Sequence, residues 1–391
     1  MYKCKTAVGA STLLAAVLVL ASCSSPLGPD RNGPGLPSFA TAPPISSGLV
    51  LDQWNGSLNE GGLMPGTCDG NNPCLIKGFN PQNPHVGDAI IATFFWVGST
   101  NVITSVTDHI TDIYRTSVGN TYSLVSHVTE GGVSMATYVA TNVQNFADAG
   151  TDPNQILAVR ANLSQPVSDG GVVISAYRGL PVTVGAFASA QGSSNVPVTA
   201  APGAISVAPG GLAYGVTMSG TLVGLNQPTA PFTYFAGLSD NYLKTDEEYA
   251  LLSSGGVVNP EWTWFFSANQ PGSWMATTVA LNPAATRLFI TGQPTTTLPL
   301  MTITPAVQVA AVDDLGNTVT TFNGSVTIAI GHNGGLVIPG TLSGTKTVNF
   351  VNGVATFSDL SIDQPGNGYT LVVSTSGLTG AQSASFNIGA M

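Results

Sequence analysis

Short apolar runs that alternate with threonine and serine are cut by glycine and proline along most of this chain. The 391 residues include 46 glycines and 26 prolines, and only 8% of them are charged, although 43% are hydrophobic. Disordered chains are poor in hydrophobic residues and rich in charge, so this composition indicates a folded chain. Apolar and β-branched residues between frequent turn residues are typical of many short strands. The composition therefore predicts an all-β protein.

The N-terminal segment has the layout of a secretory signal, with Lys3 and Lys5 before an apolar run over residues 7–20. The next residues complete Leu20-Ala21-Ser22-Cys23, which resembles the bacterial lipobox. This resemblance implies that the Cys23 thiol is lipidated and that residues 1–22 are removed. The alternatives are an ordinary signal peptide and an uncleaved membrane helix, for which the apolar run is short of the roughly 20 residues required. We predict a lipid-anchored protein of the bacterial cell envelope, at the outer membrane or cell surface.

Residues 23–47 are rich in proline, glycine and serine, which predicts a flexible tether. Strand patterns then fill residues 48–283, and this region is predicted to be one β-sandwich domain with long loops. Within it, residues 90–97 are apolar on both faces, as expected of a central strand that is covered on both sides. Gly131-Gly132 lies between two alternating runs and predicts a hairpin turn.

The 48–283 region loosely resembles a bacterial extracellular β-sandwich module of undefined function. Val86-Gly87-Asp88 before the apolar strand and Tyr177-Arg178-Gly179-Leu180 carry this resemblance, together with the closing run over residues 274–283. The best helix candidate in the region is short, over residues 240–252.

Residues 286–391 are predicted to form a second, separate domain. Val307, Val309 and Ala311 alternate with other residues, and period two repeated over about seven short strands is typical of a sandwich. Asp313-Asp314-Leu315-Gly316-Asn317 is typical of a tight turn. With the later motifs of this segment, these residues resemble the bacterial immunoglobulin-like repeat of surface proteins, of the invasin and filamin type. The resemblance implies an immunoglobulin-like sandwich in which Tyr369 bonds to the backbone upstream of it.

Two cysteines remain after the signal and the lipid site are set aside. Cys68 and Cys74 are separated by Asp-Gly-Asn-Asn-Pro, and no further cysteine or histidine lies close enough in sequence to complete a metal site. In an oxidising compartment such a pair indicates a local disulfide, which would stabilise the fold by roughly 2 kcal/mol.

Acidic and histidine residues offer two weak site candidates. Asp108-His109 with Asp112 could form part of a metal site or an acid/base pair, although one histidine with two carboxylates in a loop is mostly a solvated loop. Asp240 with the Asp246-Glu247-Glu248 run concentrates negative charge, which either binds calcium or lies on the exposed face of a short helix. The sequence leaves both alternatives open.

Trp262 and Trp264 lie on one face of a predicted strand. An exposed aromatic pair stacks on sugar rings, whereas tryptophan in a strand next to Phe265 and Phe266 packs by default into a core. These two residues are therefore the candidate ligand-binding residues, with surface polysaccharide as the ligand.

The motifs of serine hydrolases, zinc peptidases, phosphate-binding loops and EF-hands are absent from the sequence. Removal of residues 1–22 takes away Lys3 and Lys5, so the net charge of −10 becomes −12. A surface of this sign repels phosphate backbones, which excludes nucleic acid as a partner. We predict no enzymatic activity, cofactor or metal, and a module for adhesion, spacing or binding to polysaccharide or another envelope protein. An unrecognised hydrolase is the remaining alternative.

Overall fold

The computed structural model describes residues 48–58, 73–80, 82–110, 117–143, 156–221, 223–225 and 229–389. All regular elements within these ranges are β-strands, which confirms the all-β, sandwich-type fold. Every ladder between two of these strands is antiparallel. The described residues include no helix that is long and apolar enough to cross a membrane.

The first eight strands form a sandwich of two sheets, which we call the first sandwich. Its strands are β1 (Val50–Leu58), β2 (Cys74–Gly78), β3 (Ala89–Val97), β4 (Ile103–Ile110), β5 (Ser123–Glu130), β6 (Val133–Ala140), β7 (Leu157–Leu163) and β8 (Gly170–Arg178). The larger sheet has the order β1-β8-β3-β6-β5, and the smaller sheet has the order β2-β7-β4. Apolar side chains such as Leu75, Phe94 and Val159 fill the space between them.

The next ten strands form the second sandwich. They are β9 (Val182–Ser194), β10 (Val198–Ala200), β11 (Ile205–Val207), β12 (Gly211–Ser219), β13 (Gly224–Leu225), β14 (Thr233–Ala236), β15 (Lys244–Leu252), β16 (Gly256–Val258), β17 (Trp262–Phe265) and β18 (Gly272–Pro283). The larger sheet has the order β9-β18-β12-β15-β14, and the smaller has the order β10-β17-β13. An additional pair, β11-β16, covers the rest of the larger sheet through Ile205, Val207 and Val258.

The two sandwiches have the same topology. Each strand of the first sandwich has a counterpart in the second, in the same chain order and at the same place in its sheet; only the β11-β16 pair is additional. In both larger sheets the first and last strands of the unit are neighbours at one edge. The region that the sequence predicts as one sandwich with long loops is thus a tandem pair of sandwiches.

The larger sheets of the two sandwiches pack face to face around a shared apolar core. Across it, the Thr93 and Tyr214 hydroxyls lie 3.0 Å apart, and those of Ser126 and Thr277 lie 3.1 Å apart. β5 packs against β9. β1 lies across from β14, and the ring centroids of Trp54 and Phe235 are 6.0 Å apart there. This reciprocal arrangement is the one that an approximate two-fold axis between the units produces.

Residues 287–388 hold the remaining strands, which we call the C-terminal sandwich. They are β19 (Arg287–Gly292), β20 (Val307–Val312), β21 (Ser325–Ile330), β22 (Leu342–Ser343), β23 (Thr347–Asn349), β24 (Val354–Phe357), β25 (Ser361–Ile362), β26 (Gly366–Tyr369), β27 (Leu371–Ser374), β28 (Ala381–Gln382) and β29 (Phe386–Ile388). Its two main sheets, β19-β20-β24 and β23-β21-β27-β28, enclose their own apolar core. Two further pairs, β22-β25 and β26-β29, complete it.

Several local predictions are confirmed. β3 is the central strand of a five-stranded sheet and is covered on both faces. Gly131 and Gly132 have φ values of 60° and 82° and join β5 to β6. The Tyr369 hydroxyl donates to the carbonyl of Gln364, five residues upstream, at 3.0 Å.

The predicted helix over residues 240–252 is wrong, because this segment contains β15. β15 pairs with β12 on one side and with β14 on the other, so its backbone groups are bonded within a sheet. Glutamate, alanine and leucine favour helices, but propensity is a weak term that such long-range pairing overrides.

Candidate functional site

The tryptophan pair of β17 is buried. Trp262 and Trp264 are 1% and 0% exposed, and both side chains point at the larger sheet of the second sandwich. The Trp264 indole Nε1 donates to the Thr217 hydroxyl of β12 at 3.1 Å, and its ring stacks on Phe266. The exposed platform that sugar stacking needs is therefore not formed, and the core alternative for these two residues is correct. The physical reason is that β17 belongs to the smaller sheet, whose apolar face closes the sandwich.

Beneath this smaller sheet, the second sandwich encloses two carboxyl groups. Asp246 and Glu248 are two residues apart on β15, so they lie on one face of the strand, and both are buried. Their partners across the ladder are Thr217 and Gly215 of β12. Among the residues that the structure describes, none is a hydrogen-bond partner of Asp246 Oδ1, of either oxygen of Glu248 or of the Trp262 indole nitrogen. We call these two carboxyl groups and Trp262 the acidic layer.

Burial sets the protonation of the acidic layer. It raises the pKa of Asp246 to about 7, although the Lys244 charge opposes the shift. Burial, and after it the charge of Asp246, raises the pKa of Glu248 to about 9. Glu248 is therefore a neutral carboxylic acid near pH 7. The layer holds protons and is buried from solvent.

The other two acidic residues of this segment lie elsewhere. Glu247 points to the opposite face of β15, into the core shared by the two sandwiches, where burial and then the Asp246 charge raise its pKa well above its usual value. Asp240 lies in the turn before the strand, and its Oδ1 accepts from the backbone of Tyr242 and Leu243, each at 2.7 Å. Strand alternation puts Glu247 on the face of β15 opposite to Asp246 and Glu248, and Asp240 lies in the preceding turn, so the four carboxylates do not meet in a common calcium site. The exposed acidic helix face is wrong as well, since these strand carboxylates are buried.

Asp108 and His109 of β4 also fail to form an acid/base pair, because consecutive strand residues point to opposite faces. The buried Asp108 carboxylate accepts from the Asn120 amide and, at 3.4 Å, from the Tyr122 hydroxyl. His109 Nε2 lies 2.8 Å from the Thr107 hydroxyl. Asp108 thus fixes the chain where it returns at residues 117–122. The third member of the candidate, Asp112, lies outside the described residues.

The predicted lipid site Cys23 and the predicted disulfide partner Cys68 also lie outside the described residues. Cys74 is the first residue of β2 and is buried against β7. The lipid anchor and the Cys68–Cys74 bond stay predictions.

A mixed cluster that the sequence does not single out lies at one end of the first sandwich. His85 Nδ1 is 3.0 Å from Asp52 Oδ2 and 4.0 Å from Asp88 Oδ2, and the three donor atoms all lie within 4.8 Å of one another. Arg178 Nε is 3.7 Å from the second oxygen of Asp52. The only signal in the sequence is the short spacing in His85-Val86-Gly87-Asp88, since Asp52 and Arg178 join through the pairing of β1 with β8.

The C-terminal sandwich has an exposed apolar end, which consists of two loops. One loop carries Leu298, Leu300 and Met301, and the other carries Leu336, Val337 and Ile338, all of them more than half exposed. Both loops bond to the same segment. The Leu300 amide donates to the Ile362 carbonyl at 2.8 Å, and the Leu336 amide donates to the Pro365 carbonyl at 3.3 Å.

No protein-family model, curated protein or solved structure matches the chain.

Proposed function

We propose that this chain is a lipid-anchored protein of the bacterial cell envelope that binds another envelope protein and catalyses no reaction. The anchor rests on the lipobox at Cys23. The exposed apolar end of the C-terminal sandwich supports the binding role. Contiguous exposed apolar side chains of this kind mark interaction sites in soluble proteins, whereas single exposed ones need no explanation.

The backbone conformation and the exposure of the apolar end indicate that its side chains serve contact with a partner. Leu300 has a φ of 66°, in the left-handed region where a bulky residue is disfavoured, and glycine would hold this turn at lower cost. Val337 is 93% exposed, so it contributes almost nothing to the core of its own domain. Neither the turn nor the core explains these two residues, whereas a partner surface does.

Charge favours a protein partner over a lipid surface. Residues 286–391 contain Arg287 and Lys346 as their basic residues, against four aspartates. Asp363, which accepts from the Thr341 amide at 2.6 Å, lies in the segment to which both loops bond. Segments that insert into anionic bilayers combine apolar residues with lysine and arginine. An apolar protein surface suits this end better.

A photo-crosslinking experiment in the producing cells tests the proposal. Val337→p-benzoylphenylalanine in the full chain should give a discrete protein adduct that is lost when Leu336 and Ile338 are also changed to Ser. Cys23→Ser should move the chain from the membrane fraction to the soluble fraction.

The matched control is the same replacement at Val351, a 70% exposed valine of the same domain that lies outside both loops. Equal adducts at positions 337 and 351, or lipid adducts alone at position 337, would refute protein binding through this end. Membrane retention of the Cys23→Ser variant would refute the lipid anchor.

A further inference from the structure

The cluster at the end of the first sandwich has the donor set of a transition-metal site. His85 offers an imidazole nitrogen, and Asp52 and Asp88 each offer a carboxylate oxygen. Zinc–ligand bonds of roughly 2.0–2.2 Å in a tetrahedron place neighbouring donor atoms about 3.3–3.5 Å apart. The observed separations of 3.0 and 4.0 Å from His85 Nδ1 lie on either side of that value. Small side-chain movements would suffice to bind the ion.

Contacts to the far side of Asp52, and one hydrogen bond to the Asp88 donor oxygen itself, hold the ligand side chains in place, as outer contacts do in metal sites. Asp52 turns Oδ2 toward His85, while its Oδ1 faces Arg178 at 3.7 Å. Asp88 Oδ2 accepts the backbone amide of His85 at 2.8 Å, which closes the turn that carries both residues. Asp52 itself lies at a β-bulge between Leu51 and Gln53, where β1 shifts register against β8. A bulge of this kind changes the direction in which a side chain points.

Burial and charge also suit a divalent cation. The Asp88 side chain is 2% exposed, and it lies beside the Asp52 carboxylate, which is 11% exposed. Two carboxylates this close repel one another unless a proton or a cation lies between them. His85 is 26% exposed and leaves the site open toward solvent, from which an ion and a water ligand can enter.

We infer that Asp52, His85 and Asp88 form a zinc site, completed by water, with Arg178 as a positioning residue for Asp52. One imidazole and two carboxylates suit Zn²⁺ better than Ca²⁺, which takes six to eight oxygen ligands. The ion would tie the N-terminal strand β1 to the turn before the central strand β3. This site lies outside the apolar end and is independent of the binding role proposed for it.

Calorimetric titration of the chelator-treated full chain with Zn²⁺ in detergent, at pH 7.5, tests the inference. We expect one equivalent to bind and to raise the melting temperature. Asp88→Asn and His85→Gln should each weaken binding by at least 10-fold, the usual size of a lost ligand contact. His85→Gln is the safer variant for folding because this side chain is partly exposed.

His332→Gln is the matched control, since this histidine lies in an exposed loop of the C-terminal sandwich. Its affinity for Zn²⁺ should equal that of the wild type. Wild-type binding below 0.1 equivalent, or full binding by folded His85→Gln, would overturn the site. Equal affinity for Ca²⁺ and Zn²⁺ would overturn the assignment to zinc.

Discussion

The two tandem sandwiches share one topology but fill it with opposite chemistry. In the first sandwich, the face of β6 that meets the smaller sheet carries Ala136, Tyr138 and Ala140, which join an apolar core. The same face of β15 in the second sandwich carries Asp246, Glu248 and Ala250. The neighbouring central strands differ in the same sense. β3 presents Ile90, Ala92, Phe94 and Trp96 to its smaller sheet, and β12 presents Ala213, Gly215, Thr217 and Ser219.

The strand order of the two sandwiches therefore does not depend on how the space between the sheets is filled. The first sandwich gains its stability from closely packed large side chains. The second contains small residues on β12, two tryptophans on β17 and carboxyl groups on β15 that stay neutral by holding protons. An unpartnered buried polar group costs free energy, so the second sandwich must offset that cost through its tryptophans and the core that it shares with the first.

Loss of a buried tryptophan should reduce the stability of the fold most. Trp264→Ala should lower the free energy of unfolding by about 3–5 kcal/mol, because it opens a cavity and leaves the Thr217 hydroxyl without its donor. Chemical denaturation followed by circular dichroism measures this change. Phe265→Ala is the matched control on the same strand; its side chain is half exposed and the replacement should cost far less. A loss below about 1 kcal/mol for Trp264→Ala would contradict its place in the core.

The acidic layer should make the second sandwich sensitive to alkali. The pKa values of Asp246 and Glu248 are raised on folding, so the folded chain holds more protons than the unfolded chain above about pH 4. The contribution of these two groups to the stability of the fold is fully present below about pH 4. It is lost as the pH rises through about 7 for Asp246 and about 9 for Glu248. Hydrogen exchange, corrected for the intrinsic rate, should show β12 and β15 losing more protection than β6 between pH 6 and 9; β3 is a poorer reference, because burial also raises the pKa of Asp88 beside it.

Glu248→Gln should remove part of this pH dependence, because the amide has no proton to lose as the pH rises through about 9. Glu261→Gln replaces an exposed glutamate near β17 and serves as the control. Equal loss of protection in both sandwiches, or an unchanged pH profile in Glu248→Gln, would show that the acidic layer is not the cause.

Some features of the fold could be predicted from the sequence because local patterns of residues determine them. Residues 90–97 identify a central strand because they are apolar on both faces, and Gly131-Gly132 identifies the turn between β5 and β6 because glycine readily takes the positive φ needed there. The sequence does not reveal the tandem repeat. Equivalent strands of the two sandwiches occupy equivalent places in their sheets but carry different side chains. β15 is hidden for a similar reason, since its helix-favouring residues are held in a sheet by β12 and β14.

The candidate sites depend even more on long-range contacts. Asp52 and His85 lie 33 residues apart in sequence and meet because β1 and β3 both pair with β8, one on each side. The spacing of the two tryptophans correctly predicts that both lie on one face of a strand. No local pattern indicates which sheet that face packs against. Burial at β17 is decided by β12, a strand that precedes it by more than 40 residues.

Substitutions at the contact between the two tandem sandwiches should reduce stability least. The Thr93 hydroxyl lies 3.1 Å from that of Thr137 and 3.0 Å from that of Tyr214, so it links both units at the centre of their shared core. Thr93→Val keeps the shape of the side chain and should cost about 0.5–1.5 kcal/mol, the net value of a typical hydrogen bond. A double-mutant cycle with Tyr214→Phe isolates the link, and we expect a coupling free energy of the same size. Thr327→Val, which breaks an exposed threonine pair in the C-terminal sandwich, should change stability far less. Zero coupling between positions 93 and 214 would mean that this hydroxyl pair does not help to join the two sandwiches, and the apolar core and the Ser126–Thr277 pair would then hold the interface.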